Sequence, residues 1–61
     1  MMPTLIRLPE VKKIVGLGTT TIYKLIKEGS FPKPVHLSSM TRAWIREEVE
    51  GYIRTKILER A

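Results

Sequence analysis

Three consecutive threonines, Thr19, Thr20 and Thr21, open the stretch "TTTIYKLIKEG", which runs on through Tyr23, Lys24 and Lys27 to Gly29. Hydroxyls, a phenol and two ammonium groups at the head of a helix are donors suited to phosphate oxygens, and the helix's own free N–H groups add to them. Lys24 can also reach a guanine edge, and threonine methyls can touch a thymine methyl. Two more cations, Lys33 and Arg42, flank this stretch. Gly18 or Thr19 can cap the helix, and three hydroxyls in a row exceed what one cap needs. The chemistry these residues point to is non-covalent recognition of a polyanion.

Other chemistries find little material. Glu47 and Glu48 read as first-turn helix charges rather than a catalytic pair, and "GLG" at 16–18 is too short to cradle a phosphate. No nucleophile–base set is present, so the chain reads as a non-enzyme. With no cysteine and His36 as the single histidine, neither a thiolate nor a histidine-rich metal site can form, and no metal or cofactor is implied. His36 itself reads as a surface histidine, with phosphate contact as its second role.

The donors need elements to hold them. Leu8, Val11, Ile14 and Val15 have helical spacing, with Pro9 at the first helical position and Glu10 in the first turn. This predicts a helix over 9–15, stopped by Gly16-Leu17-Gly18. Ile22, Leu25 and Ile26 form a second stripe, predicting a helix over 19–28 with Thr19, Thr20, Tyr23, Lys24 and Lys27 outward or on its flanks. Gly29 ends it, and Pro32 and Pro34 forbid continuation. Val35 and Leu37 then alternate with His36 and Ser38 like a half-buried strand, and the chain returns through 41–44, predicting a hairpin over 35–44. In the last segment Ile45, Val49, Tyr52, Ile53 and Ile57 share one helical face, with acids early and bases late, as the helix dipole favours. Gly51 inside that helix costs about 1 kcal/mol relative to alanine, and a glycine there permits close approach of a neighbouring backbone. One core follows from Leu8, Val11, Val15, Leu17, Ile22, Leu25, Ile26, Phe31, Val35, Leu37, Trp44, Val49, Tyr52 and Ile53, with Trp44 as its anchor.

The expected architecture is therefore mainly α with a small β-hairpin, in the order helix, tight turn, helix, hairpin, helix. Two short helices joined by a glycine-bearing turn describe a helix-turn-helix, and a hairpin beside one is a wing. In this motif the head of the second helix enters the major groove, while a wing reaches the flanking minor groove or backbone, where Arg42 is the arginine near the turn.

At 61 residues the chain is read as a single domain over 1–61. Its net charge of +5 is uneven: residues 1–42 carry seven bases and two acids, residues 43–61 four of each. All the excess thus lies in the part that holds the threonines, as a polyanion binder requires. No run approaches the roughly 18 apolar residues of a membrane span, and the N-terminus lacks the apolar region of a signal peptide. The expectation is a mature, soluble chain, cytoplasmic and nucleoid-associated in a bacterial or archaeal cell, with no membrane partner and no small-molecule substrate.

With these residues in view, the chain resembles the AlpA family of small phage and prophage regulators, within the wider group of MerR-like winged-helix and excisionase domains. The resemblance rests on "RLPEV" (7–11), "GLGTTTIYKLIKEGSFPKPVHL" (16–37) and "WIREEVEGYI" (44–53), and so spans nearly the whole chain. It implies a DNA-binding transcriptional regulator or a recombination directionality factor. Thr19, Thr20, Thr21, Tyr23 and Lys24 would form its recognition helix, and residues 38–42 its wing. Two positions depart from the family pattern: Gly18 stands where serine is frequent, and Met40 where the wing often carries arginine.

The function expected is sequence-specific binding of double-stranded DNA by a transcriptional regulator of a phage, prophage or mobile element. Thr19, Thr20, Thr21, Tyr23, Lys24, Lys27, Lys33 and Arg42 are its contacts. An excisionase that bends DNA for an integrase is the first alternative, and a small protein-interaction adaptor using Leu58 or Met40 the second. A single module buries roughly 600–1,000 Å² on DNA, so self-association on DNA is expected, with an integrase or RNA polymerase as further partners.

Overall fold

The computed structural model describes residues 2–60, so Met1 and Ala61 of the expected 1–61 domain lie outside the described residues. The elements are β1 (Leu5–Ile6), α1 (Leu8–Val15), α2 (Thr19–Lys27), β2 (Val35–His36), β3 (Arg42–Ile45) and α3 (Arg46–Glu59). The three helices and the hairpin stand where the periodicity placed them. The first strand does not follow from it, because two residues cannot display an alternation.

Glycine sets both ends of the helix pair. Gly16 closes α1 at φ 72°, its N–H donating to the Lys12 carbonyl at 2.8 Å. Gly29, at φ 78°, follows α2. There the Ser30 N–H donates to the Leu25 carbonyl at 2.8 Å and the Gly29 N–H to that of Ile26 at 3.0 Å. This is a Schellman closure, which satisfies carbonyls the helix cannot and needs a left-handed residue.

The sheet is antiparallel in the order β1-β3-β2. Leu5 pairs with Ile45 and Ile6 with Trp44 on one side of β3; Val35 pairs with Ala43 and His36 with Arg42 on the other. The hairpin is therefore anchored by a strand from the opposite end of the chain. That strand's neighbour also starts the last helix. Ile45 precedes α3 with no side chain able to cap it, and the Arg46 N–H donates to the Thr4 carbonyl at 2.8 Å.

Each helix, strands β1 and β3 and the loop after α2 contribute to the core: Ile6, Val11, Ile22, Phe31, Trp44 and Val49 are buried together. Leu8, Ile14, Val15, Leu17, Tyr23, Leu25, Ile26 and Tyr52 pack against them, partly buried. Trp44 is the anchor expected, fully buried, with its indole N–H donating to the Pro32 carbonyl at 3.1 Å. Phe31 meets Tyr52 edge to face at 4.7 Å between ring centroids.

Three expectations are corrected. Val35 and Leu37 are exposed, at 37% and 52%, because β2 is an edge strand with β3 as its neighbour on one side and no layer covering it. Ile53, placed in the core, is only partly buried and lies outside the buried cluster, since burial along α3 ends there and every described residue from Arg54 onward faces solvent. Finally, no atom comes within 4 Å of where a Cβ on Gly51 would sit, so no neighbouring backbone uses that glycine. Ile6 and Ala43, absent from the expected core, are buried in the pairing of β3 with its neighbours.

Candidate nucleic-acid interface

The head of α2 is an exposed polar helix end in the basic part of the chain. Gly18 is its N-cap, extended at φ −79° and ψ 167°, and no side chain caps the helix. Thr19 is thus the first helical residue rather than the cap, and glycine takes that role. The first backbone bond runs from the Ile22 N–H to the Gly18 carbonyl at 3.0 Å, which leaves the N–H groups of Thr19, Thr20 and Thr21 without intrahelical acceptors. All three threonines are exposed.

Electrostatics set this helix end apart. Glu10 lies in the first turn of α1 and Glu47 and Glu48 in that of α3, but no acidic residue lies in the first turn of α2. Its partial positive charge is left for an outside anion. Lys24 and Lys27 extend the cationic character along the helix, and both are exposed.

Tyr23 ties the helix to the hairpin. Its ring lies 6.4 Å from that of Trp44 at an interplanar angle of 64°. Its hydroxyl accepts a hydrogen bond from Nη1 of Arg42 at 3.4 Å, and the Arg42 guanidinium carbon stands 5.9 Å from the ring centroid. The partial burial of Tyr23 is thus against the wing and the core. Lys33 stands apart: exposed between Pro32 and Pro34, it has no hydrogen bond or cation–π contact with the other candidates among the described residues.

Between β2 and β3 the turn is stiffened by its own backbone. The Leu37 N–H donates to the Thr41 carbonyl at 2.8 Å, and the Met40 N–H to the Ser38 hydroxyl at 3.3 Å. This holds Met40 at the tip with 92% of its surface exposed.

One cation escaped the sequence reading. Arg7, exposed at the N-cap of α1, lines a groove of about 400 Å³ with Tyr23, Ser39, Met40 and Arg42, floored by Trp44. In the chain it is 35 residues from Arg42, and only the pairing of β1 with β3 brings the two together. The one signal available was its place directly before the first helix.

Among the described residues, no group of three His, Cys, Asp or Glu side chains is arranged to hold a metal ion. No helix among them is long and apolar enough to cross a membrane.

A helix pair joined by a tight turn, with a β-hairpin pinned to the second helix and a third helix behind, is a winged helix-turn-helix architecture. The family described as prophage CP4-57 regulatory protein (AlpA) matches residues 4–57, and the chain belongs to it. A similar curated protein is the uncharacterized protein ORF88 of Enterobacteria phage P4, 40% identical over 55 residues that make up 90% of this chain. The match spans 62% of that relative's length.

Proposed function

We propose that the chain is a double-stranded DNA-binding regulator of phage or prophage genes, with α2 in the major groove and the β2–β3 wing on the flanking DNA. The observation that carries this is the head of α2: three exposed hydroxyls and three free N–H groups, with no acid in the first turn. Thr19, Thr20, Thr21 and Lys24 face base edges and nearest phosphates in this reading, while Lys27, Lys33 and Arg42 contact backbone. Tyr23 contributes its hydroxyl and positions Arg42. A family of regulatory proteins fits the same role.

The test is duplex binding followed across salt concentration. Affinity should fall linearly in log–log terms as salt rises. The pair Thr20→Ala and Lys24→Ala should each weaken binding to a selected site, on the order of tenfold for a lost base contact, without loss of folded structure by circular dichroism. Full affinity in both variants sinks the assignment of α2. Absence of binding to any duplex at low salt favours an adaptor, for which Leu58, 79% exposed, offers an apolar contact.

Met40 favours a second reading on the same surface. An apolar side chain on a braced turn can wedge between base steps and kink DNA, the action an excisionase needs beside an integrase. Energy transfer between dyes at the two duplex ends separates a bending protein from a simple operator binder. Either role gains from several copies side by side on adjacent sites, and a transcriptional role adds contact with RNA polymerase.

A further inference from the structure

We propose that the groove between the start of α1 and the wing is a clamp for one DNA phosphate, with Arg7 and Arg42 as its two jaws. The proposal rests on the DNA-binding reading and adds a contact from the first helix that the recognition helix and wing do not supply.

Two arginines line one groove, and no carboxylate is among its lining residues. Neither arginine takes part in a salt bridge among the described residues, where the ion pairs are Arg46–Glu50 and Lys56–Glu59 on α3. Like charges that share a cleft without a counter-ion repel one another, and an entering anion relieves that repulsion. Guanidinium is also the cation best matched to phosphate, through paired N–H donors in a fixed fork.

The remaining lining groups suit the same ligand. The Tyr23 phenol and the Ser39 hydroxyl add neutral donors. Tyr23 also holds one jaw, through the hydrogen bond and ring contact it makes with Arg42. The second jaw is set by the backbone: Arg7 is the N-cap of α1, and its carbonyl accepts from the N–H groups of Glu10 and Val11, each at 3.0 Å. A groove whose sides are α1, α2 and the wing tip has the position of a strand passing from the major groove of the recognition helix to the groove under the wing. A phosphate there would fix the register of both.

The experiment is a scan of the bound duplex in which single phosphates are replaced by neutral methylphosphonates, read against the full-length protein and its Arg7→Ala and Arg7→Gln variants. At one phosphate per bound site, substitution should weaken the unmodified protein on the order of tenfold, the size of a lost charge-assisted hydrogen bond. The same substitution should weaken both variants markedly less, since Arg42 alone then holds that phosphate. On unmodified DNA the variants should lose affinity equally for selected and scrambled duplexes, with the salt slope reduced by about one. If the unmodified protein binds DNA but both variants match it at every phosphate, the clamp is overturned while the DNA-binding reading stands. If the unmodified protein binds no duplex, both fall together.

Discussion

The phenol of Tyr23 accepts a long hydrogen bond from Arg42 while the edge of its ring lies against the buried indole of Trp44. One side chain therefore couples the core to a cation on the wing. Deleting only the hydroxyl tests this. Tyr23→Phe keeps the ring contact and should change stability by no more than about 0.5 kcal/mol, because the bond it removes is long and solvent-exposed. Duplex affinity should drop about fivefold, the worth of one modest hydrogen bond, and equally for all sequences. Fluorescence anisotropy titration with a selected and a scrambled duplex reads this directly. Unchanged affinity means that Arg42 reaches DNA without the tether. The two ion pairs on α3 ask for no comparable role. Both are exposed, at 3.1 and 3.4 Å, and pairs of this kind contribute little to stability.

At the scale of elements, α3 is committed to the fold over only part of its length. Its first half carries Val49 into the core and sets Tyr52 against Phe31, while its second half leaves Ile57 and Leu58 in solvent. Gly51 sits at the change between these halves with open space where its Cβ would be. Gly51→Ala should therefore stabilise the fold by about 0.5–1 kcal/mol through helix propensity alone, seen as a rise in the thermal midpoint. A fall instead would place another chain against that position. The elements also differ in how readable they were. Helices α1 and α2 were legible because Leu8 and Ile22 head apolar stripes and Gly16 and Gly29 stop them. The head of α2 was legible too, since three hydroxyls beside two lysines are a local pattern. The wing was legible in place but not in burial: alternation at Val35 and Leu37 signals a strand, whereas burial depends on whether anything covers it. Strand β1, and with it the nearness of Arg7 to Arg42, had no local signal, because Leu5 and Ile6 matter only through their partners in β3.

For the molecule as a whole, the excess charge and the head of α2 lie in the same two-thirds of the chain, while residues 43–61, which hold α3, are electrically balanced. This gives the protein one cationic part rather than uniform basicity. The charge asymmetry was visible from residue counts. The groove that focuses two of those charges was not, since it is made by tertiary pairing.

That pairing has a consequence for how the chain reaches its native state. Leu5 and Ile45 are 40 residues apart and meet in the sheet, so both helices of the helix-turn-helix lie inside the loop their meeting closes. Closing such a loop carries an entropy cost that grows only slowly with length, but nonlocal pairing of this kind slows folding. Val11 and Ile22 are buried against residues that lie outside the helix pair, Ile6, Trp44 and Val49 among them. The helix-turn-helix unit is thus not a separable peptide. A synthetic fragment spanning residues 8–28 should show only weak helical circular dichroism in water, since helices of this length are marginal alone. Strong native-like helicity in the fragment would show that α1 and α2 assemble before the ends of the chain meet.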